Sequence, residues 1–366
     1  MVKESLIRLL SIDGGGIRGI ITATILAALE NKLNDKYKAK NGKEPVRPLR
    51  LAQFFDLLAG TSTGGILAAA LLAPDLDDPT YPRYSAQEAV DLYLKNGQFI
   101  FTKSSSARWP LGTVFFKAKY RKENMEATLE KYFGDLRMSQ LVKPCLITSY
   151  DFEKRRAVFF TQHDAIRKGS MYDFYVRDVA RSTGAAPTYF PPGRAESEAD
   201  LVYHTIDGGL FANNPTMCAV IESLKLFGGE DTLLNPSNMF ILSMGTGTVE
   251  KQYPHDKARK WGMVGWLKPI IDIMMSAVSE TVDYQLKKLY DSMKRKDQYI
   301  RIMPELYTAD SEMDNVSDEN LENLRQAGLS NAIKFDDTLD RIAEILLKGS
   351  TEEAPRSLVP PTQAKG

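Results

Sequence analysis

A serine set between glycines is the residue of this 366-residue chain best suited to covalent chemistry. In Gly60-Thr61-Ser62-Thr63-Gly64, the serine follows an apolar run and precedes a segment rich in alanine and leucine. A strand, a sharp turn and a helix in this order expose a nucleophilic hydroxyl at a helix N-terminus, where N–H groups favour developing negative charge. Gly60 and Gly64 lack the side chains that would block the turn. We predict Ser62 as a nucleophile; a glycine-lined turn with a capping serine is the alternative.

A serine nucleophile needs a proton acceptor, and the histidines are poorly placed for that role. His163 and His255 lie in polar segments that we predict to be surface loops. His204 precedes Asp207 by three residues in an apolar run, so alternation along a strand puts the two on opposite faces. Asp207 ends that run and is followed by two glycines. We therefore predict Asp207 as the base, although an Asp-Gly-Gly sequence alone is most often only a turn.

A third motif, Asp13-Gly14-Gly15-Gly16-Ile17-Arg18-Gly19, follows the first apolar run of the chain. Consecutive glycines can point backbone N–H groups at one spot, so the amides of Gly14, Gly15 and Gly16 are candidates for an oxyanion hole. Arg18 either adds positive charge there or pairs with a surface acid. The motif also fits a dinucleotide-binding loop, but that reading expects an acidic residue about 20 positions further on, at the end of the second strand. Here the second strand leads into the serine turn instead.

The overall composition is that of an ordinary globular protein, with 43% hydrophobic and 26% charged residues. Basic and acidic residues both number 47, which argues against a nucleic-acid-binding protein. Two cysteines and three histidines give neither a disulfide framework nor a zinc pattern, and we predict no metal or organic cofactor. No apolar run is long enough to span a membrane, and no secretory signal is visible at the N-terminus. The corresponding prediction is a cytoplasmic protein, with peripheral association with membranes as a further option.

Strand-like and helix-like segments alternate, which predicts an α/β fold with a central, mainly parallel sheet covered on both faces. We predict one domain over residues 6–348, with a helical insertion at about 75–143 and a disordered tail at 349–366. A second addition, at about 249–297, is a candidate lid or capping region. Its helical segment Leu267–Tyr290 is rich in Ile and Met, which favours core packing, with a lid or lipid-facing helix as the alternative. The predicted strands are Leu6–Ile12, Phe54–Ala59, Cys145–Tyr150, Val158–Thr161, Leu201–Ile206, Met239–Met244 and Tyr299–Met303.

The order and spacing of the three motifs, without a histidine, resemble the patatin-like phospholipase family. Three further segments match it: Ser182–Pro192, Asp207–Pro215 and Leu242–Gly247. The resemblance implies a three-layer α/β/α fold, a Ser62–Asp207 dyad, and an oxyanion hole at the glycine loop with Arg18 nearby. It implies hydrolysis of fatty acyl esters in phospholipids, lysophospholipids or galactolipids, a lipid or membrane-surface substrate, and no cofactor. A catalytically idle lipid-binding or protein-interaction module on the same fold is the alternative, which the intact motif residues disfavour.

Overall fold

Eight strands form one sheet in the computed structural model, which describes residues 6–103, 118–228, 234–248 and 252–348. The predicted tail at 349–366 lies outside the described residues. The strands are Ile7–Ile12 (β1), Leu57–Thr61 (β2), Cys145–Asp151 (β3), Arg156–Thr161 (β4), Gly193–Glu196 (β5), Val202–Asp207 (β6), Met239–Met244 (β7) and Tyr299–Ile302 (β8).

The sheet is parallel on one side and antiparallel on the other. Its order is β5-β6-β3-β2-β1-β7-β8, with β4 also paired to β3. Strands β3, β2, β1, β7 and β8 are parallel, whereas β4 and β6 run antiparallel to β3 and β5 runs antiparallel to β6. Every residue of β2 and of β7 is buried, as expected for strands covered on both faces. The predicted mainly parallel sheet is therefore confirmed.

Helices cover both faces of the sheet, and the alternation of side chains along β1 divides the core between them. Leu10 and Ile12 belong to the larger apolar cluster, which includes residues of the first, second and third helices. Leu9 belongs to a smaller cluster on the other face. The fold is thus the predicted three-layer α/β/α arrangement. The helices are Gly19–Asn41 (α1), Thr63–Leu72 (α2), Ala86–Ile100 (α3), Lys122–Phe133 (α4), Gln162–Lys168 (α5), Val176–Thr183 (α6), Gly209–Ala212 (α7), Thr216–Phe227 (α8), His255–Ala258 (α9), Met263–Ser292 (α10), Asp318–Lys334 (α11) and Asp336–Lys348 (α12).

Local sequence explains where several helices begin and end. Ser85 accepts a hydrogen bond from the N–H of Glu88, and the Glu88 carboxylate accepts from the N–H of Ser85, which fixes the start of α3. At the C-terminal end of α1, Gly42 adopts a left-handed φ of 67° and ends the helix. Helices α3 and α4 fall in the predicted insertion, of which residues 104–117 lie outside the described ranges.

Candidate active site

The serine turn has the strained geometry that the sequence motif requires. Ser62 lies between β2 and α2 with φ 54° and ψ −124°, a conformation that residues other than glycine rarely adopt. Three hydrogen bonds hold its backbone there. Its N–H donates to Oγ1 of Thr183 over 2.8 Å, and its carbonyl accepts from the N–H groups of Gly65 and Ile66 over 2.9 and 3.1 Å. The Ser62 side chain is thereby fixed at the start of α2.

The glycines on either side of Ser62 are required by close backbone contacts. A Cβ atom on Gly60 would lie 2.3 Å from the carbonyl oxygen of Gly64. A Cβ atom on Gly64 would lie 2.3 Å from the carbonyl oxygen of Ile12, at the end of β1. Neither distance is compatible with a side chain, so the turn can pack against the neighbouring strand only with glycine at these positions.

The pairing of β3 brings the ends of two other strands together. Strand β4 pairs with residues 146–151 of β3, so it occupies one edge of that strand. Strands β2 and β6 must therefore share the opposite edge. Thr61, the last residue of β2, lies opposite Thr148, and Asp207, the last residue of β6, lies opposite Ser149. Because β2 and β6 run towards each other, their C-terminal ends meet, and Ser62 and Asp207 are neighbours.

The Asp207 carboxylate is buried and only partly hydrogen-bonded. Its Oδ1 accepts from the N–H of Gly209 over 2.7 Å. Among the described residues, Oδ2 has no partner in good hydrogen-bond geometry, although the Ser62 hydroxyl is near enough to the carboxylate to affect its pKa. Burial raises the pKa of Asp207 to about 6, and the Ser62 hydroxyl and the Gly209 N–H limit that rise. Asp207 therefore has a free acceptor atom beside Ser62 and a pKa suited to accepting a proton near neutral pH.

The glycine loop packs directly against the serine, but its first amide is already engaged. A Cβ atom on Gly14 would lie 3.2 Å from the Cβ of Ser62. The N–H of Gly14, however, donates to the carbonyl of Asn213 over 3.1 Å. The expectation that all three glycine amides are available for an oxyanion is therefore wrong for Gly14. Within the described ranges, no acceptor is found for the amides of Gly15 and Gly16. These two amides remain the candidates for an oxyanion hole.

Arg18 is buried beside the glycine loop and lines the larger cavity, and it forms no ion pair with an acid of the described residues. Its Nε donates to the carbonyl of Gly15 over 3.3 Å, and its Nη1 has no hydrogen-bond partner among the described residues. Burial lowers the pKa of this guanidinium, and the negative charge of Asp272 opposes that effect. Arg18 thus supports the loop backbone and adds positive charge near it.

Asp13, the first residue of the glycine motif, is held by Arg301, which the sequence motifs do not include. Asp13 and Arg301 form a buried ion pair, in which Nη1 of Arg301 lies 2.8 Å from Oδ1 of Asp13. The same nitrogen donates to Oγ of Ser243 on β7. The sequence signal that could have pointed to this ion pair is an arginine within the short apolar strand Tyr299–Ile302, because a buried arginine needs a partner.

Two adjoining cavities lie in the region of the serine turn, and Ser62 and Asp207 line the smaller of them. The first is a narrow pocket of about 80 Å³ that both side chains line together with mostly apolar residues of α3, α4 and α10. The second is a larger, polar cavity of about 560 Å³ on the side of Arg18 and Asn213. Three residues border both cavities: Tyr189, Met275 and Met313. Ser62 and Asp207 thus face the apolar pocket, and the larger cavity adjoins that pocket at these three residues.

None of the histidines is placed to act on Ser62. His163 is buried rather than at the surface as predicted, and its Nε2 lies 2.7 Å from Oε1 of Glu222. His204 pairs with Glu153 on the opposite face of β6 from Asp207, as the alternation predicted. His255 is exposed at the start of α9. The pocket that contains Ser62 is lined by no histidine of the described chain.

In the described parts of the chain, no group of three or more His, Cys, Asp and Glu side chains is arranged to hold a metal ion. None of the described helices combines the length and the apolar character needed to cross a bilayer.

Comparison with known proteins identifies the family. The family model described as Patatin-like phospholipase matches residues 10–220, more than half of the chain. The chain belongs to the patatin-like phospholipase family. Patatin-like protein 3 of Arabidopsis thaliana is 32% identical over 350 residues, which cover 88% of this chain and 80% of that protein. Patatin group D-2 of Solanum tuberosum is 30% identical over 367 residues, which cover 94% and 90% of the two chains.

A weaker likeness is found among solved structures. VipD from Legionella pneumophila aligns with 91% of this chain and 67% of its own, at a TM-score of 0.37 and 13% sequence identity. A likeness at this level carries no argument about function. Membership of the family rests instead on the match to residues 10–220, a range that includes Ser62 and Asp207.

Proposed function

We propose that this protein is a lipid acyl hydrolase that cleaves fatty acyl esters through a Ser62–Asp207 dyad. The observation that carries the proposal is the junction of β2 and β6, which places a strained serine beside a buried carboxylate with an unpartnered oxygen. Membership of the patatin-like phospholipase family supports a lipid substrate. We assign this activity to a single catalytic domain spanning residues 6–348.

The first half of the proposed reaction forms an acyl-enzyme. Oδ2 of Asp207 takes the proton of the Ser62 hydroxyl as Oγ attacks the ester carbonyl carbon. The carbonyl oxygen becomes an oxyanion, which the amides of Gly15 and Gly16 and the charge of Arg18 stabilise. When the C–O bond to the alcohol breaks, Asp207 returns the proton to the leaving oxygen. The lysolipid or other alcohol departs, and the acyl group stays on Ser62.

The second half releases the fatty acid. Asp207 takes a proton from a water molecule as the water attacks the acyl carbon, and the same oxyanion site stabilises the second tetrahedral intermediate. Collapse breaks the bond to Oγ, and the proton on Asp207 returns to Ser62. No metal is required by this sequence of steps.

The two cavities suit the two ends of a lipid ester. The apolar pocket would receive the part of the acyl chain next to the ester, because its walls are mostly apolar side chains. The polar cavity would receive the glycerol and head group. The residues that form the apolar wall include Ile66, Leu92, Phe101, Leu129, Phe190 and Ile271.

The test is a panel of p-nitrophenyl esters, phospholipids, lysophospholipids and galactolipids, assayed with the wild-type protein and with Ser62→Ala. We expect ester hydrolysis that Ser62→Ala abolishes, and labelling of Ser62 by a fluorophosphonate probe. A wild-type protein that hydrolyses none of these substrates and resists the probe would instead favour the idle lipid-binding or protein-interaction module. Equal labelling of the Ser62→Ala variant would show that the nucleophile is another residue.

A further inference from the structure

The outward face of α10 carries a continuous stripe of large apolar side chains. Met263 is 90% exposed and Leu267 is 52% exposed, although both are large and apolar. The members are spaced as one side of a helix requires, at three, four, seven, ten and eleven positions from the first. We call the following six exposed residues the α10 stripe: Met263, Trp266, Leu267, Ile270, Ile273 and Met274.

The opposite face of the same helix already has a role in the fold. Ile271 and Met275 line the apolar pocket that contains Ser62 and Asp207. Further along, Oγ of Ser279 accepts a hydrogen bond from the side chain of Asn213 over 3.0 Å. Apart from Ile273, which borders the larger cavity, the α10 stripe lines neither of the two cavities. A contiguous set of exposed apolar side chains is typical of an interaction site.

The segment leading into the stripe is basic and rich in tryptophan. Between Lys257 and Lys268 the sequence contains four basic residues and no acidic one. Arg259 and Lys260 are both exposed. Two of the three tryptophans of the chain lie here, Trp261 and Trp266, with ring centroids 5.1 Å apart. Apolar and indole side chains next to lysine and arginine are the combination found in helices that lie in the surface of a membrane.

We propose that the α10 stripe and the basic segment 257–268 dock this protein on an anionic lipid surface. The stripe would enter the boundary between head groups and acyl chains, and the exposed Lys257, Arg259 and Lys260 would contact anionic head groups. Because a helix is only about 10 Å wide, the docked face would lie one helix diameter from the cavities around Ser62. In taking the bound lipid to be the source of substrate, the inference rests on the proposed function.

The test measures vesicle binding directly and does not depend on turnover. All proteins carry Ser62→Ala, so the lipid is not consumed, and cosedimentation is measured with phosphatidylcholine vesicles with and without phosphatidylglycerol. The stripe variant is Met263→Gln with Leu267→Gln. The matched control is Leu329→Gln with Ile333→Gln, an exposed apolar pair at the same spacing on α11. Far-ultraviolet circular dichroism and thermal melting establish that each variant is folded.

We expect the stripe variant to bind vesicles at least about tenfold more weakly, since two exposed apolar side chains lose their contact with the acyl region. The control should bind within about twofold of the parent, as exposed substitutions usually have small effects. Arg259→Gln with Lys260→Gln should weaken binding about fivefold per charge to the anionic vesicles and little to the neutral ones.

Several results would overturn the docking proposal. The first is a parent protein that does not sediment with anionic vesicles, and the second is a stripe variant that binds as well as its control. The third is an Arg259→Gln, Lys260→Gln variant whose binding falls equally on anionic and neutral vesicles. A parent protein that is a dimer and becomes a monomer in the stripe variant would assign the stripe to a second copy of the chain. Because binding is measured without catalysis, each of these results is distinct from a failure of the proposed hydrolysis.

Discussion

The pH dependence of hydrolysis tests the proposed base, because burial moves its titration into an accessible range. The pKa of Asp207 is raised from 3.8 to about 6 by burial. A base works when it is unprotonated, so activity should fall as the pH drops through 6. With that pKa, the ionised fraction is about 90% at pH 7 and about 10% at pH 5. We expect kcat/KM for a soluble ester to fall about tenfold between these pH values, and a further tenfold per pH unit below them.

The asparagine variant removes the base and keeps the shape of the side chain. In Asp207→Asn, an amide oxygen can still accept from the N–H of Gly209, but it cannot take a proton from Ser62. General-base assistance contributes about a hundredfold to ten-thousandfold, so turnover should fall by at least about a hundredfold. The residual activity should also lose its dependence on pH near 6.

The same substitution should not weaken the fold, which separates a catalytic role from a structural one. Since the pKa of Asp207 is higher in the folded protein than in an unfolded chain, its protonated form stabilises the fold below about pH 4 and that contribution is lost as the pH rises through 6. At pH 7 the buried charge costs up to about 3 kcal/mol, which Asp207→Asn removes. Urea unfolding should show a variant at least as stable as the wild type at pH 7, with an advantage that shrinks towards pH 4.

Either of two results would refute the reasoning about Asp207. One is an Asp207→Asn protein that is folded and turns over at a near-normal rate. The other is a wild-type acid limb that lies near pH 4, where an ordinary exposed carboxylate titrates.

Three further predictions concern the turn, the ion pair and the histidines. In urea unfolding, the free energy of unfolding of Ser62→Gly should exceed that of Ser62→Ala by about 1 kcal/mol, because only glycine adopts the positive φ without strain. The usual order, in which the alanine variant is more stable, would contradict the strain. Arg301→Met should lower the free energy of unfolding by about 3–5 kcal/mol, because it leaves the charge of Asp13 buried and unpaired; urea unfolding near that of the wild type would show that the pair is unimportant. His204→Gln and His255→Gln should each leave kcat/KM for a soluble ester within about twofold; a loss of about a thousandfold in either would indicate a hidden triad.

The sequence patterns that predicted strands well were those of the buried parallel core. Met239–Met244 was predicted with both of its ends correct, since a strand covered on both faces is a nearly continuous apolar run, here interrupted by Ser243 and flanked by Asn238 and Gly245. The predicted strand at Phe54–Ala59 begins later, at Leu57, because Leu51–Phe54 forms a 3₁₀ helix. Strand β5 was missed, because Gly193–Glu196 is a short edge strand with two charged residues and no apolar pattern.

Long-range contacts explain what the sequence could not supply at the candidate site. The side-chain period of a strand is the same in either direction, so nothing in Val202–Asp207 indicates that it runs against β3 and meets the end of β2. The hydrogen bond from the N–H of Gly14 to the carbonyl of Asn213 joins positions about 200 residues apart, so local sequence does not reveal it. Likewise His163 was predicted at the surface from its polar neighbours, whereas its partner Glu222 lies 59 residues further along the chain.

Several features that lower the stability of a fold lie together at the junction of β2 and β6. Ser62 holds a backbone conformation that costs a residue other than glycine about 1–3 kcal/mol. Asp207 is a buried carboxylate with one unpartnered oxygen, and Arg18 is a buried guanidinium with an unpartnered nitrogen. A binding module would be more stable with glycine, asparagine and an apolar residue at these three positions. Strain and buried charge side by side are what a serine–aspartate dyad requires, because the hydroxyl must be presented on a sharp turn and the base must titrate near neutral pH. The cost in stability therefore argues for catalysis and against an idle copy of the fold.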